Sequence, residues 1–237
     1  MTRLSVNVNK IALLRNARVS DIPDLIQFAK DCERFGAQGI TVHPRPDERH
    51  IRKSDVYELK KVVTTEFNIE GYPNKEFIKM VCEVKPHQCT LVPDAPGQLT
   101  SDHGWNAIKY QSLLNEVIAE LHSNNIRVSL FIDPDNDLIE NAKKAGSDRI
   151  EFYTGPYAHD FSSSKEKAIE AFVSSGKFCN EIGIGINAGH DLNLDNLKYF
   201  KQSIPGLQEV SIGHALVRDC LYFGLENTIQ LYLRQLE

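Results

Sequence analysis

The residues best suited to chemistry lie in one short stretch, residues 41–50, where histidines and arginines follow an apolar run. Residues 39–42 have the composition of a buried strand, and His43, Arg45 and His50 come soon after it. Imidazoles move protons near neutral pH, and guanidinium groups bind phosphate through paired hydrogen bonds. The stretch therefore predicts a catalytic loop that binds an anion. A solvated charged turn at the end of an ordinary strand is the alternative.

Polar residues follow other apolar runs in the same way. They are Asn7, Glu70, Asp133, Glu151, His190 and His214. Each by itself has a structural explanation, such as a cap or a turn. If the runs are parallel strands of one barrel, however, their carboxyl ends meet at one mouth, where such folds carry their chemistry. Imidazoles that face carboxylates can shuttle protons, because burial and neighbouring charges bring both groups towards a neutral pKa. We therefore expect one cavity and an enzyme.

The elements that must position these residues alternate between two kinds. Short runs typical of strands span residues 4–8, 39–43, 66–70, 88–93, 128–132, 149–153, 182–186 and 210–212. Stretches with helical spacing span residues 22–35, 54–63, 74–84, 105–121, 135–145, 165–179, 194–200 and 215–236. Eight strands alternating with eight helices predict an α/β fold, a (β/α)8 TIM barrel, with residues 1–237 as a single domain.

The composition of the 237-residue chain fits a globular protein with a sizeable core, because 41% of residues are hydrophobic and 25% are charged. A net charge of -5 argues against a general nucleic-acid or membrane-surface role. No signal-peptide pattern and no apolar run of about 18 residues is present, so we expect a cytoplasmic protein without membrane contact. Five scattered cysteines without a Cys-x-x-Cys pair indicate reduced thiols.

Two glycines and two arginines indicate a phosphorylated substrate. Gly189 and Gly213 precede predicted helices at the seventh and eighth strands, where barrels bind phosphate with amides at a helix N-terminus. Arg18 and Arg45 could add paired hydrogen bonds to the same group. No lysine lies within the later strands, so a Schiff base between protein and substrate is disfavoured, with Lys10 as the one candidate in reach.

With these motifs in order, the chain resembles the pyridoxine 5'-phosphate synthase family from end to end. The matching segments are residues 6–18, 39–45, 49–51, 68–70, 91–93, 128–133, 150–151, 154–155, 187–190 and 212–215. The resemblance implies a (β/α)8 barrel that assembles as a homo-octamer and needs no metal or organic cofactor. It also implies a condensing transferase of vitamin B6 biosynthesis.

The reaction implied by the resemblance joins 3-amino-2-oxopropyl phosphate to 1-deoxy-D-xylulose 5-phosphate and releases phosphate and water as the pyridine ring closes. The amine arrives on a substrate, so an imine between the two substrates would form without a catalytic lysine. Carried over by motif, His43 and Glu70 would be general bases and His190 the general acid. Glu151 would stabilise cationic, imine-like states.

The resemblance also implies substrate-binding residues. Those for the deoxyxylulose phosphate would be Arg45, His50 and Thr100, and those for the amino ketone Asn7, Arg18, Asp191, Gly213 and His214. Asn9 and Lys10 belong to a further substrate contact, at which many family members have Asp-His instead. The departure replaces an acid and an imidazole by an amide and a cation.

Two other functions are compatible with the same residues. One is another barrel enzyme that acts on a sugar phosphate, such as an isomerase or a metal-dependent aldolase. The chain has no His-x-His or His-Glu-x-x-His pattern, although folding could bring His43, His50 and His190 together around a metal ion. The other is a non-catalytic phosphate-binding or scaffold barrel, which would bind ligands without turnover.

Overall fold

Eight parallel strands close into a barrel in the computed structural model, which describes residues 1–18, 21–94 and 97–237. Each strand pairs with the next along the chain, and the last pairs with the first. The strands are β1 (Arg3–Asn7), β2 (Gly39–Val42), β3 (Glu66–Gly71), β4 (Gln88–Leu91), β5 (Arg127–Ile132), β6 (Arg149–Tyr153), β7 (Gly185–His190) and β8 (Leu207–Ile212). The (β/α)8 barrel predicted from the sequence is confirmed.

Helices surround the barrel. Within the described ranges they are α1 (Asn9–Asn16), α2 (Leu25–Arg34), α3 (Lys53–Val62), α4 (Lys75–Val84), α5 (Gln111–Ser123), α6 (Asn136–Lys144), α7 (Gly155–Asp160), α8 (Lys165–Ile182), α9 (Leu197–Ser203), α10 (His214–Phe223) and α11 (Leu225–Gln235). Several begin at side-chain caps: Asn74 accepts a hydrogen bond from the Phe77 amide, and Asp135 accepts from two amides of α6. None of the helices so described is long and apolar enough to cross a membrane.

The strands bury apolar side chains against the helices and polar side chains inside the barrel. Because successive strand residues point to opposite faces, the apolar Ile40 and Val42 alternate with Thr41, which lies inside. Thr41 shares a 2.7 Å hydrogen bond with Ser5, and Thr90 donates to Asn68 (3.1 Å) across the same interior. The interior is therefore a hydrogen-bonded polar column beneath the mouth of the barrel.

The amino-terminal end of the barrel is closed by charged side chains. Arg3 lies 2.9 Å from Glu66, which also contacts Arg127 and, at 3.8 Å, Arg149. Glu209 lies buried beside them, and one of its carboxyl oxygens has no hydrogen-bond partner among the described residues. In barrels of this kind this end serves stability, and the chemistry lies at the other end.

Two predicted boundaries are wrong because glycines end helices. The seventh strand was predicted at residues 182–186, but α8 continues through Ile182 and ends at Gly183, whose φ is 68°. The strand therefore starts at Gly185 and contains Gly189, which was expected to precede a helix. The predicted last helix is two helices, α10 and α11, which Gly224 separates with a φ of 76°.

Three further differences lie between the strands. Helices α1 and α7 were not predicted, because α1 has a weak apolar pattern and α7 is only six residues long. The helix predicted over residues 105–121 begins at Gln111, so Trp105 and Ile108 belong to the preceding turns. Trp105 is buried there and donates to the Leu91 carbonyl, whereas Ile108 is exposed. All five cysteines lie in the described part of the chain and are unpaired.

Candidate active site

A cavity of about 500 Å3 opens at the carboxyl ends of the strands. Thirteen of the fourteen predicted site residues line it: Asn7, Asn9, Lys10, His43, Arg45, His50, Glu70, Thr100, Glu151, His190, Asp191, Gly213 and His214. The remaining one, Arg18, is exposed at the end of α1 and is not among the described residues that line the cavity. The closed barrel thus brings together side chains that are far apart in the sequence.

His43 lies at the base of the cavity, between two carboxyl groups. The Asn9 side chain accepts a hydrogen bond from the His43 backbone amide (2.9 Å) and so holds the end of β2. His43 Nδ1 is 3.8 Å from Glu70 Oε2, and His43 Nε2 is 3.9 Å from Asp94 Oδ2. Burial, and after it the positive charge of Arg45, keeps the pKa of His43 well below its ordinary value. The ring is therefore neutral and able to accept a proton.

Glu70 and Glu151 are two buried carboxyl groups in the same cavity. Burial, followed by the negative charge of Asp94, raises the pKa of Glu70 to about 8. Burial and the charge of Glu70 raise the pKa of Glu151 well above its usual range. The Thr90 hydroxyl oxygen lies 3.4 Å from Glu151 Oε2. Both groups hold protons near neutral pH, and a carboxyl tuned in this way can serve as an acid or a base.

His190 is held on the opposite side of the cavity by both ring nitrogens. Nδ1 lies 2.6 Å from Asp191 Oδ2, and Nε2 lies 2.9 Å from the Thr100 hydroxyl. The hydrogen bond from His190 lowers the pKa of Asp191, so this carboxylate stays charged and orients the ring. The ring edge also packs on Tyr153, with 5.5 Å between centroids. His190 is the last residue of β7 and has a φ of 87°, an unusual conformation for a non-glycine residue.

The basic wall of the cavity also holds the loop after β4. Arg45 donates to the Gln98 carbonyl (3.1 Å), and Arg49 donates to the carbonyls of Gln98 and Leu99, both at 2.7 Å. His50 Nδ1 accepts from the Ile51 amide (2.9 Å), so the proton of the neutral ring lies on Nε2. Burial, with Arg45 as the next cause, lowers the pKa of His50 to about 4.

An ion pair between α1 and α3 supports His50 from below. Arg15 donates to both carboxyl oxygens of Asp55, at 2.7 and 2.8 Å, and to the His50 carbonyl at 3.2 Å. Asn16 donates to the same carbonyl at 2.8 Å. Helix α1, which the sequence did not predict, therefore holds the predicted catalytic loop, residues 41–50, at its His50 end.

The two glycines expected to bind phosphate have different roles. Gly213 caps α10, so the amides of Gly213 and His214 lie at a helix N-terminus in the cavity wall. Gly189 lies inside β7 and packs against the Glu151 carboxyl group, which a Cβ at that position would overlap. It provides space for Glu151 and is not at a helix N-terminus.

Some residues differ from the sequence-based selection. Asp133 does not line the cavity; it accepts a hydrogen bond from the Gly104 amide (3.0 Å) and anchors the loop after β4. Asp94 and Ser101, which were not selected, lie at the centre of the contacts between the β2 and β4 loops. The available signal for Asp94 was its place directly after the predicted strand at residues 88–93.

No three His, Cys, Asp or Glu side chains in the described ranges are grouped to hold a metal ion. His43, His50 and His190 are not grouped in this way. The cavity brings together the neutral imidazoles of His43 and His50, the protonated carboxyls of Glu70 and Glu151, and guanidinium groups.

Fold and cavity together place the chain among TIM-barrel proteins whose strand ends carry acid–base chemistry. Solved structures with this fold include a thiamine phosphate pyrophosphorylase from Pyrococcus furiosus, with a TM-score of 0.64 and 11% identity over 99% of this chain and 95% of that one. Another is the phosphoribosylanthranilate isomerase from Thermotoga maritima, with a TM-score of 0.60 and 10% identity over 100% and 98%. At such low identity these structures show the fold only.

The family model for the pyridoxal phosphate biosynthesis protein PdxJ matches residues 4–237, and the chain belongs to this family. The pyridoxine 5'-phosphate synthase of Cytophaga hutchinsonii is 60% identical over the full length of both chains. That of Porphyromonas gingivalis is 58% identical over 100% of this chain and 99% of the relative, and that of Flavobacterium johnsoniae is 57% identical over both full lengths. The family resemblance seen in the motifs is confirmed.

Proposed function

We propose that the protein is a pyridoxine 5'-phosphate synthase that condenses 3-amino-2-oxopropyl phosphate with 1-deoxy-D-xylulose 5-phosphate. Membership of the family and 57–60% identity to relatives of that name support the activity. The observation that best supports the mechanism is the pairing of a neutral His43 with Glu70, 3.8 Å apart at the base of the cavity. The amine of one substrate attacks the ketone of the other, and water leaves as the imine forms.

The proton transfers that follow need bases and an acid on different sides of the substrates. His43 accepts a proton from the substrate because its ring is neutral, and Glu70 does so once it has lost its own proton. Protonated His190, oriented by Asp191, donates a proton to a leaving oxygen from the opposite wall. Glu151, once ionised, lies where it can stabilise a cationic imine. Release of phosphate and water then completes the aromatic ring.

Substrate binding divides the cavity between two anionic groups. Arg45, His50 and Thr100 bind the deoxyxylulose phosphate, and Asn7, Asp191, Gly213 and His214 bind the amino ketone. Asn9 holds His43 in place by accepting a hydrogen bond from its backbone amide, and the exposed Lys10 adds a positive charge at the mouth. Arg18 completes the amino ketone site only if it moves, because it lies outside the cavity. Among the described residues, Lys10 is the one lysine in the lining, which agrees with an imine formed between substrates.

The molecular setting belongs to the same proposal. We infer from the family resemblance that residues 1–237 form one barrel domain, that the protein is cytoplasmic, and that it assembles as a homo-octamer without metal or organic cofactor. Its partners are small phosphorylated molecules, and neither nucleic acid nor membrane is among them. Eight copies of a 26.8 kDa chain give about 214 kDa, which light scattering on the purified protein measures directly. A mass of one or two chains contradicts the octamer.

The decisive experiment mixes purified, EDTA-treated protein with both substrates and follows pyridoxine 5'-phosphate by mass spectrometry together with released phosphate. Equal amounts of the two products are expected. Glu70→Gln and His190→Asn serve as matched controls, since each removes one acid–base group and leaves a side chain of similar size. Phosphate without the pyridine, or activity that disappears with the chelator, contradicts the proposal. Full turnover in both variants contradicts the assigned roles.

A further inference from the structure

Asp94 contacts three residues of the candidate active site, although the proposed mechanism gives it no role. Its side chain is only 3% exposed and lies in the wall between the reaction cavity and a second cavity of about 210 Å3. Arg45 Nη2 donates to Asp94 Oδ2 at 2.5 Å, and the Ser101 hydroxyl donates to the same oxygen at 2.8 Å. His43 Nε2 lies 3.9 Å from that oxygen.

The geometry differs from that of an ordinary buried ion pair. An arginine that simply neutralises a carboxylate forms two parallel hydrogen bonds to its two oxygens. Here the second nitrogen of Arg45 bonds to the Gln98 carbonyl, and Asp94 Oδ1 is buried without a hydrogen-bond partner among the described residues. The donors are concentrated on Oδ2, which is the oxygen beside His43. Oδ1 is left unsatisfied as a result within the described part of the chain, and a buried acceptor without a hydrogen bond costs free energy.

Resting on the proposed synthase function, we propose that Asp94 is a positioning residue that holds Arg45 and the Ser101 end of the β4 loop against the base His43. Through Arg45 it fixes the group that binds the sugar phosphate. Through Ser101 it fixes the neighbouring Thr100, which bonds to His190. One carboxylate therefore connects the base side of the cavity with its acid side.

The same carboxylate acts on Glu70 through its charge. The charged and titratable groups that face Glu70 are His43, Arg45, Asp94, Glu151 and Glu209. Among the charges, that of Asp94 contributes most to the raised pKa of Glu70, and Arg45 opposes it. Removal of the Asp94 charge therefore lowers the pKa of Glu70.

The test compares the pH dependence of kcat/KM in the wild type and in Asp94→Asn. Glu70 must be deprotonated to act as a base, so wild-type kcat/KM rises with pH up to about 8. In Asp94→Asn we expect this rise to occur about one pH unit lower. We also expect the KM for 1-deoxy-D-xylulose 5-phosphate to rise about tenfold, because Arg45 loses a charged partner.

Two further variants separate positioning from general damage. Ser101→Ala removes one hydrogen-bond donor to Asp94 but keeps the Asp94 charge. The rise of kcat/KM with pH should therefore occur at the wild-type pH. Asp94→Glu keeps the charge on a longer side chain. Its kcat/KM should therefore show the wild-type pH dependence, whereas its KM for 1-deoxy-D-xylulose 5-phosphate should remain raised. If Asp94→Asn does not fold, Asp94→Ser removes the same charge from a smaller side chain. Coincident pH profiles in the wild type and the neutral variant overturn the proposal.

Failure of the synthase function gives a different result from failure of this inference. A wild type that forms no pyridoxine 5'-phosphate contradicts the function, whatever the role of Asp94. The electrostatic effect of Asp94 on Glu70 is then read without substrates, from the thermal unfolding midpoint as a function of pH. The proton held by Glu70 makes wild-type stability fall as pH rises towards about 8, and in Asp94→Asn the fall should occur at lower pH. Identical midpoint profiles overturn the inference.

Discussion

At the scale of single residues, burial favours the uncharged forms of His43, Glu70 and Glu151. His43 is neutral because its positive form would be buried next to Arg45, and Glu70 is protonated because its negative form would be buried next to Asp94. A histidine that accepts protons and a carboxyl that retains one are what a reaction with several proton transfers needs near neutral pH.

The protonation of Glu70 has a consequence for stability. Its pKa is about 8 in the folded protein and 4.5 in its ordinary state, so the folded protein holds a proton that the unfolded chain releases. This contribution is complete below about pH 4.5 and is lost as pH rises through 8. We expect the unfolding midpoint of Glu70→Gln to exceed that of the wild type by an amount that grows from pH 5 to pH 9. Glu226→Gln, at an exposed site on α11, is the matched control and should show no such growth.

At the scale of elements, the strands supply the acid–base groups and the loops supply the basic wall. β3 and β6 hold Glu70 and Glu151, whereas the loops after β2 and β4 are joined by Arg45 and Arg49. Groups on strands are held by ladders of backbone hydrogen bonds on both sides, which suits residues that must keep a fixed geometry. The loops, in contrast, are joined by a few side-chain hydrogen bonds from the arginines to backbone carbonyls.

The close packing of β7 on β6 depends on one glycine. A Cβ at Gly189 would overlap Glu151 Oε1 and lie 2.9 Å from the Ser211 carbonyl. We expect Gly189→Ala to move the Glu151 carboxyl group and lower kcat by about tenfold or more, since a misplaced group loses most of its effect on the transition state. Gly176→Ala in α8 is the control, because its Cβ would meet only side-chain atoms outside the cavity. Steady-state kinetics that leave both variants at wild-type kcat contradict this role of Gly189.

At the scale of the whole molecule, the two ends of the barrel have separate roles. The mouth collects the acid–base groups, whereas the opposite end holds a charged cluster in which Arg3 and Arg127 flank the buried Glu66, Arg149 and Glu209. The polar column between them is held together by side-chain hydrogen bonds, such as Ser5 with Thr41 and Thr90 with Asn68. The charged cluster and the acid–base groups therefore lie at opposite ends of the barrel, and Glu70 contributes to both stability and chemistry.

This division can be tested at Arg149. Its guanidinium lies 3.8 Å from Glu66 and offsets the buried charge of Glu209. Arg149→Met leaves these carboxyls without that partner, and we expect the free energy of unfolding to fall by about 3 kcal/mol. Denaturant titration measures this loss, and kcat should stay at the wild-type value. A lower kcat with unchanged stability contradicts the division.

The sequence was sufficient to predict the barrel, its strand order and most of the cavity residues. Strand composition and helical spacing are local properties, and the rule that strand ends meet at one mouth converts them into a site. This reasoning found His43, Glu70 and His190, and the motifs around them identified the family. It misplaced β7 and predicted one last helix where the structure has two, because the positive φ of Gly183 and Gly224 has no periodic signal.

Only the tertiary structure decided which groups act on each other. The contact of Asp94 with Arg45 and Ser101, the space that Gly189 leaves for Glu151, and the helix α1 beneath His50 all depend on closure of the barrel and on strand register. The pKa values do so as well, because burial and distances of a few ångström set them and neither is a property of local sequence. The sequence by itself therefore determined which chemical groups are available, and the fold decided how they are charged and held.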